Sequence, residues 1–450
     1  MSTIRGEIEM RINVGLATAD VTPQAGLEIS GWCFGKSVGT HDPLMVTCGV
    51  FEGTHGKVVL VSADLIGMGV GLARSLREEI ATRLGTTPER VCVCCTHTHS
   101  GPATMFLRKW GEIDPDYVEF LGERVISCAV AADSERFEGN LMTVRRTVWG
   151  IGYNRRRTNG PIDPEFIVVR IHEATTGTLR GYLLNYACHP VILHGYRNLY
   201  SADYPGFVRA RVWERLGRML PILFATGTCG NINPYGTQVG HGSLEGACRI
   251  GRFLGDAAVE SGAEIAGASP SEWRVVDARE SSVHLSVYPP PSREELGEMI
   301  EHHLHVLSDA ESGRITLRHV DAVSHRIESE WAREMLRDIE TGKAPQSLEV
   351  VLQVVRIGNL LVVGISAEVF VEIGMAIKNR WYSEHDAGSH LCVITLANGD
   401  IGYIPDGASF QEGTYEAGGL AYKVYGKYLV KADSADRMIA HIFDLLSDEE

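Results

Sequence analysis

Residues 91–100 read VCVCCTHTHS, a short apolar stretch that leads directly into two histidines. Its first five residues are apolar and β-prone, which is typical of a strand buried on both faces. Gly101 and Pro102 then favour a turn. Because the side chains of a strand alternate between its faces, we expect His97 and His99 to share one face. Imidazoles held rigidly at a strand end suit a metal site or a proton-transfer site.

The surrounding sequence alternates between apolar runs of strand length and amphipathic helical stretches. Residues 58–63 (VVLVSA) predict a buried strand, and residues 72–84 carry apolar side chains at helical spacing. Further strands are predicted at 166–172, 182–188, 221–226, 348–357, 360–365 and 391–396, and further helices at 117–132, 208–219, 244–259 and 369–381. This alternation predicts an α/β fold.

The pattern changes after about residue 268. Residues 273–287 predict an extended segment, which three consecutive prolines at 289–291 end. Residues 292–307 and 323–341 are charged and helix-prone. We therefore expect a single domain over residues 1–450, with a helical lid or insert near 289–345.

Composition narrows the functional class. The 450 residues are 44% hydrophobic and 22% charged, as is usual for a globular protein. The net charge of −15 argues against nucleic acids and anionic membrane surfaces as partners. No run approaches the ~18 apolar residues of a membrane-spanning helix, and residues 1–10 lack the apolar core of a signal peptide. The sequence thus predicts a cytoplasmic protein with a small-molecule substrate, and it leaves homo-oligomerisation open.

The ten cysteines predict no metal cluster of their own. Cys92 and Cys95 have C-x-x-C spacing, but in an extended strand they face opposite ways, and a second C-x-x-C pair is missing. We expect small buried thiols in a reducing compartment.

Polar side chains follow the predicted strands where each one ends. In chain order they are Asp64, His97, His99, His189, Asn233, Glu368 and Tyr403. Because ligands of open α/β sheets bind outside the carboxyl ends of strands, we expect these residues to converge on one rim. Imidazole and carboxylate ligands suit one zinc ion, and a catalytic zinc keeps a position open for water.

Each of these residues also has a plainer explanation. A His-x-His pair is a weak pattern in a chain with 17 histidines. His189 could be a core histidine with satisfied nitrogens, Glu368 could complement a helix dipole, and Tyr403 could simply pack. His302, His303 and His305 are expected to face solvent, and the arginines at 155–157 are expected to form a solvated cluster in a loop.

Several motifs, taken together and in order, resemble the catalytic domain of the neutral ceramidases, the neutral/alkaline non-lysosomal ceramidase family. Besides Gly31 in the N-terminal loop, they are GLATADVTP (15–23), THTHSGP (96–102), GYNR (152–155), NYACHP (185–190), SADYPG (201–206), GTCGNINP (227–234), GISAE (364–368), GYIP (402–405) and YEA (415–417). Most are weak alone, but their number and order over about residues 12–425 make the resemblance specific. It implies mixed β-sheets covered by helices.

The resemblance also implies a set of site residues. It implies four zinc ligands, which are His97, His189, Glu368 and Tyr403. His99 would lie beside the metal and engage the substrate. Gly31, Arg155 and Tyr415 would line the same pocket. All four implied ligands already stand among the strand-end residues.

Two features depart from the family pattern. Ceramidases carry a catalytic serine in a G-D-V-S-P loop, whereas residues 230–234 read GNINP and place Asn233 there. An asparagine still donates a hydrogen bond to a carbonyl or an oxyanion. Ceramidases also continue into an immunoglobulin-like domain, whereas this sequence stops at Glu450.

The resulting hypothesis is a zinc-dependent hydrolase that cleaves the amide C–N bond of a small acylated substrate through a metal-bound water. His99, Arg155 and Asn233 are the predicted catalytic residues. A zinc-dependent esterase or lactonase is the nearest alternative, because an activated water attacks either bond. A non-catalytic, metal-containing binding protein is an alternative from a different class.

Overall fold

Two β-sheets with helices around them form the framework of the chain. The computed structural model describes residues 12–31, 35–194, 196–237, 243–263, 275–385 and 389–447. Cys33, the first two residues of the extended segment predicted at 273–287, and both ends of the predicted 1–450 domain lie outside the described residues.

The strands are named in chain order. They are β1 (Ile12–Asp20), β2 (Gly39–Thr40), β3 (Met45–Gly53), β4 (Gly56–Ala63), β5 (Val91–Cys95), β6 (Phe137–Thr147), β7 (Gly152–Asn154), β8 (Glu165–Glu173), β9 (Leu179–Tyr186), β10 (Leu199–Tyr200), β11 (Ile222–Thr226), β12 (Ile232–Pro234), β13 (Val276–Ser286), β14 (Ser347–Ile357), β15 (Leu360–Ile365), β16 (Glu368–Val369), β17 (His390–Ile394) and β18 (Tyr403–Ile404).

The helices are named in the same way. They are α1 (Val70–Leu84), α2 (Pro115–Ser134), α3 (Asp203–Leu216), α4 (Leu244–Glu260), α5 (Arg293–Glu311), α6 (His319–Thr341), α7 (Val371–Glu384), α8 (Ser409–Glu412), α9 (Ala421–Val424) and α10 (Ser434–Ser447). Local sequence explains several of their ends. For example, the Asp114 side chain caps α2 ahead of Pro115, and Gly85 ends α1 in the left-handed conformation.

The larger sheet has the strand order β11-β9-β8-β6-β1-β3-β4-β5, and the smaller sheet has the order β13-β14-β15-β17. The pairs β4–β5, β9–β11 and β15–β17 are parallel, whereas the other neighbours in these two sheets are antiparallel. The predicted α/β class with mixed sheets is therefore confirmed.

The strands β5 and β11 approach each other, although they stand at opposite ends of the larger sheet. The Thr226 hydroxyl at the end of β11 donates to the carbonyl of Thr96 at 2.8 Å. The segment that follows β17 joins both, because Thr395 N donates to the Thr226 carbonyl at 3.1 Å and Asn398 N donates to the Val93 carbonyl at 2.7 Å. The carboxyl ends of strands from both sheets therefore meet in one place.

Helices α5 and α6 form the predicted insert. A capping box between Ser292 and Glu295 starts α5. The insert packs onto residues that follow the second sheet, since the Trp331 ring meets Tyr422 edge-on at 5.4 Å and its Nε1 donates to the Lys427 carbonyl at 3.2 Å. A lid function for this helix pair stays a prediction, as does the division into a single domain.

The described helices and cysteines bear on the predictions about membrane crossing and buried thiols. None of the helices in the described ranges has both the length and the apolar character that a membrane crossing requires. Cys92 and Cys95 are buried in β5 as free thiols, like most cysteines in the described part of the chain.

Candidate metal centre

His97 lies two residues after the end of β5 and has an unusual backbone conformation. Its φ of 72° lies in the left-handed region, a conformation that costs a residue with a side chain about 1–3 kcal/mol and recurs at functional sites. The backbone N–H of His97 donates to the Leu65 carbonyl at 2.9 Å, and its Nδ1 lies 2.5 Å from the Ile66 carbonyl. Since only an N–H satisfies a carbonyl, Nδ1 carries a proton and Nε2 is left as the metal-binding nitrogen.

His189, after β9, is held in the same way. It is fully buried, and its Nδ1 lies 2.5 Å from the Cys229 carbonyl. Its backbone N–H donates to the Ile232 carbonyl at 2.9 Å. The two imidazoles therefore share one arrangement, in which a backbone carbonyl fixes Nδ1 and leaves Nε2 to face the site.

Glu368 meets both imidazoles with a single carboxylate oxygen. Its Oε2 lies 3.2 Å from His97 Nε2 and 3.1 Å from His189 Nε2. The carboxylate is 2% exposed. Two nitrogen lone pairs and an anionic oxygen at these distances repel each other unless a cation lies among them, and that cation is either a proton or a metal ion. The residues present therefore fit a metal ion of the kind predicted.

The pKa shifts describe where a proton sits when it takes the cation's place. Burial alone lowers the pKa of His97, but the Glu368 charge and hydrogen bond outweigh it, so this pKa lies above its ordinary value. Burial and then the Arg155 charge lower the pKa of His189 to about 4. For Glu368, burial is outweighed by His97 and by hydrogen bonds from both rings, which holds its pKa well below the usual range.

His99 is the third imidazole of the cluster. Its Nε2 lies 3.3 Å from His97 Nε2, and one ligand nitrogen from each of His97, His99 and His189 falls within 4.8 Å of the others. Within the described part of the chain its buried Nδ1 has no hydrogen-bond partner. Burial, followed by the His97 charge, holds the pKa of His99 well below its ordinary value. His99 is therefore a neutral imidazole with less fixed nitrogens than the other two.

Gly31 lies against His99. A Cβ at this position would stand 2.9 Å from His99 Nδ1, and the φ of Gly31 is +111°. The glycine therefore permits both the turn and the close approach to the ring. Its predicted contact with a substrate stays a prediction.

Arg155 connects the other predicted site residues. It donates to the Tyr403 hydroxyl at 3.1 Å, to Asn233 Oδ1 at 3.1 Å, to the Gly230 carbonyl at 2.7 Å and to Glu416 at 2.9 Å. Because Oδ1 of Asn233 accepts from the guanidinium, the amide NH2 of Asn233 remains the group able to donate to a ligand.

Tyr403 and Tyr415 stand beside this guanidinium. The two rings meet edge-on with centroids 6.4 Å apart, and the Arg156 guanidinium lies 5.5 Å from the Tyr415 ring centroid. Burial, followed by the Glu368 charge, holds the pKa of Tyr403 well above its ordinary value. The structure thus brings the predicted tyrosines to the same cluster of polar residues.

Some predicted residues have other roles. Asp64 pairs with Arg209 at 2.7 Å and accepts from Met45 N at 2.9 Å, so its carboxylate is occupied away from the imidazoles. The expectation of a solvated cluster at 155–157 is wrong, because Arg156 and Arg157 both form ion pairs with carboxylates. His302 and His305 are exposed as expected, whereas His303 is half-buried with its Nδ1 2.7 Å from His325 Nδ1.

Three buried residues at the site were missed by the sequence reasoning. Glu416 joins Arg155 and Arg156, and Tyr425 contacts both Glu368 and Asp400. Glu416 lies in the YEA motif, and Asp400 lies between the predicted strand at 391–396 and Tyr403, so both positions could have been found from the sequence. Tyr425 follows a short helix with no such pattern.

Comparisons with known proteins agree with this fold. No protein-family model matches the chain. It is 25% identical over 230 residues to a neutral ceramidase of Drosophila pseudoobscura pseudoobscura, and 26% identical over 166 residues to that of Drosophila melanogaster. These matches cover 46% and 34% of this chain, but only 33% and 24% of the relatives, so the aligned part is a third or less of each relative's length.

Two solved structures cover nearly the whole chain. A ceramidase complexed with C2 aligns with 98% of this chain and 76% of its own, at a TM-score of 0.73 and 17% identity. The neutral ceramidase from Pseudomonas aeruginosa aligns with 97% and 75%, at a TM-score of 0.69 and 20% identity. The chain is therefore related to the neutral ceramidases in sequence and shares their fold.

Proposed function

We propose that the protein is a zinc-dependent hydrolase that cleaves the amide C–N bond of a small acylated substrate. The observation that carries the proposal is the meeting of His97 Nε2 and His189 Nε2 at one oxygen of Glu368, 3.2 and 3.1 Å away. Two histidines and one carboxylate form a protein ligand set that catalytic zinc sites use. Tyr403 completes the proposed set as the fourth ligand.

The assignment of His99 follows from how the three imidazoles are held. A backbone carbonyl fixes Nδ1 of His97 and of His189, as is usual for metal-binding histidines. Nδ1 of His99 lacks such a partner among the described residues. We therefore assign His97 and His189 to the metal, and His99 to the substrate.

A bound zinc ion would supply a Lewis acid that polarises a carbonyl and lowers the pKa of water to ~7. The neutral His99 imidazole would take up the proton that the attacking water loses. The Arg155 charge and the Asn233 amide N–H would stabilise the oxygen that gains negative charge when water adds to the carbonyl. The amine then leaves with a proton, and the products are a carboxylic acid and an amine.

The choice of an amide bond rests on the two relatives and the two solved structures described above, each of which is named a ceramidase. We propose a small acylated amine rather than ceramide itself as the substrate. Asn233 stands where the ceramidase pattern has its catalytic serine, so the site departs from that of the ceramidases. An ester or lactone would meet the same donors and the same activated water. These substrates therefore belong in the same assay.

The test combines metal analysis with a substrate panel. The purified protein should hold about one zinc per chain after dialysis, and the zinc-loaded form should hydrolyse N-acyl amines faster than the matched esters and lactones. Activity on lactones or esters alone would replace the amidase assignment. A zinc-loaded protein that binds acyl amines without turnover would favour the binding-protein alternative.

The metal site itself needs a matched pair of variants. His189→Ala should lose both zinc and activity, whereas His390→Ala removes a half-buried histidine in β17 and should keep both. A His189→Ala protein that folds and retains full zinc would overturn the proposed ligand set.

A further inference from the structure

Tyr425 places its hydroxyl between two buried carboxyl groups. The hydroxyl makes a short hydrogen bond with Glu368 Oε1, the oxygen that does not face the imidazoles. It also lies 3.1 Å from Asp400 Oδ2. Asp400 is 3% exposed and Tyr425 is 5% exposed, so bulk water does not separate these groups.

The number of protons available at these three oxygens is limited. A phenol hydroxyl has one proton to donate and lone pairs with which to accept. Since Glu368 Oε2 faces two imidazoles, the most favourable use of the Tyr425 proton is donation to Glu368 Oε1. The contact with Asp400 is then favourable only if Asp400 donates, and an ionised carboxylate has no proton to give.

The rest of the Asp400 carboxyl group is consistent with one proton on Oδ2. Its Oδ1 accepts from Gly402 N at 2.8 Å, while the Gly402 carbonyl accepts from Glu368 N at 2.9 Å. Asp400 is 3% exposed, and burial disfavours the ionised form of a carboxyl group. One short backbone segment thus holds Asp400 and Glu368 in a fixed relation, with Tyr425 spanning the gap.

Gly402 also allows the tyrosine to reach this position. Its φ is +100°, and a Cβ there would lie 3.1 Å from the Tyr425 ring. The ring therefore packs directly on the backbone that joins Asp400 to Tyr403. This close packing fixes the direction of the hydroxyl without help from the metal.

We propose that Tyr425 and Asp400 are positioning residues for the metal ligand Glu368, with Asp400 acting as a neutral donor to Tyr425 and Tyr425 donating to Glu368 Oε1. Oε1 is thereby held away from the imidazoles, and Oε2 alone is presented to the metal. This inference rests on the proposed zinc site. It adds two residues, which act through Glu368 rather than as further ligands.

Zinc affinity tests the arrangement directly, measured by competition with a chromogenic chelator. Tyr425→Phe should bind zinc about 10- to 100-fold more weakly, which is the usual effect of removing a partner that orients a metal ligand. Tyr428→Phe is the matched control. Tyr428 lies three residues after Tyr425, and its hydroxyl contacts Asp338 Oδ2 at 3.0 Å. This control should bind zinc as the wild type does.

Substitutions of Asp400 test the direction of the hydrogen bond. In Asp400→Asn the new amide keeps an oxygen for Gly402 N and offers an N–H to the Tyr425 hydroxyl, so the zinc affinity of this variant should stay within about twofold of the wild type. Asp400→Ala removes the donor and should weaken zinc binding in the same range as Tyr425→Phe. Thermal unfolding of each zinc-free variant checks that the fold is retained.

The outcomes separate the two proposals. Wild-type affinity in a folded Tyr425→Phe protein overturns the positioning role while leaving the zinc site intact. Equal weakening in Asp400→Asn and Asp400→Ala overturns the neutral-donor arrangement. A wild-type protein that takes up no zinc overturns the proposed function, and the positioning role fails with it.

Discussion

Glu368 pairs with Tyr403 in the parallel bridge between β16 and β18. Residues paired in this way project their side chains to the same face of the ladder, so a carboxylate and a phenol separated along the chain enter the site side by side. The backbone reinforces the pairing, because Glu368 N donates to the Gly402 carbonyl at 2.9 Å. Two of the four proposed ligands are thus positioned by one short piece of sheet.

This pairing predicts different results for the two ligands. Glu368→Gln preserves the shape of the side chain but removes the charge that balances two imidazoles and a divalent ion, so zinc should fall below about a tenth of an ion per chain after dialysis. Tyr403→Phe leaves three ligands and should retain measurable zinc at reduced affinity. Elemental analysis of dialysed protein measures both.

Glu412→Gln serves as the control for a lost carboxylate charge, because Glu412 pairs with Arg157 at 2.9 Å in an exposed position. It should keep a full zinc complement. Full zinc in Glu368→Gln would argue that the three histidines suffice as the ligand set.

His99 should separate metal binding from turnover. His99→Ala removes a neutral imidazole that we assign to proton transfer with the substrate, and the loss of one such group typically lowers kcat by about 10²–10⁴-fold. The zinc content should remain near one ion per chain. Steady-state kinetics measure kcat, and elemental analysis measures the zinc content of the same protein. If zinc is lost together with activity, His99 is a metal ligand.

Much of this site could be predicted from the ends of strands. His97, His189 and Glu368 each follow an apolar run, and the structure brings all three together because β5, β9 and β15 end at the same place. The resemblance to the ceramidases selected the same three residues independently of their positions at strand ends. Position at a strand end was not sufficient, however, since Asp64 satisfies the same pattern and pairs with Arg209 instead.

The remaining parts depend on contacts that a single sequence does not encode locally. Neither strand's own sequence indicates that β5 and β11, at opposite ends of the larger sheet, approach each other, and hydrogen bonds from Thr395 and Asn398, which follow β17, accompany that approach. Tyr425 directly follows a four-residue helix whose sequence has no periodicity to interpret. Its importance arises from the two carboxyl groups that it meets in space.

Gly31 offers a test of how tightly His99 is held. In Gly31→Ala the new Cβ would lie 2.9 Å from His99 Nδ1, in a backbone conformation that alanine adopts only with strain. The ring must shift, and we expect a loss of activity of at least about tenfold, because a displacement of ~1 Å at a reacting group is costly. Kinetics with the zinc-loaded protein measure this loss.

Gly26→Ala is the matched control for that strain. Gly26 has a similar φ of +114°, but a Cβ there meets nothing within 4 Å. Both variants should lose a similar amount of stability in thermal unfolding, whereas only Gly31→Ala should lose activity. Equal activity in the two would show that His99 tolerates the displacement.

Zinc uptake by Tyr403→Phe, which has no phenol proton to lose at this position, should release about one proton at pH ~6. The raised pKa of His97 means that the zinc-free protein still holds a proton on this ring, and zinc must displace it. His189, with a pKa lowered to about 4, is already neutral at this pH and releases almost none. Two unperturbed histidines with pKa values of ~6.5 would together release about 1.5 protons under the same conditions.

The sign of the pH dependence follows from the same shifts. Zinc affinity should fall about tenfold for each unit of pH below the raised pKa of His97, and the slope should double only near pH 4, where His189 also takes up a proton. Calorimetry at pH ~6 in two buffers with different protonation enthalpies counts the protons, and it avoids the ionisation of zinc-bound water near pH ~7. A count near zero would contradict the assignment of the proton to His97.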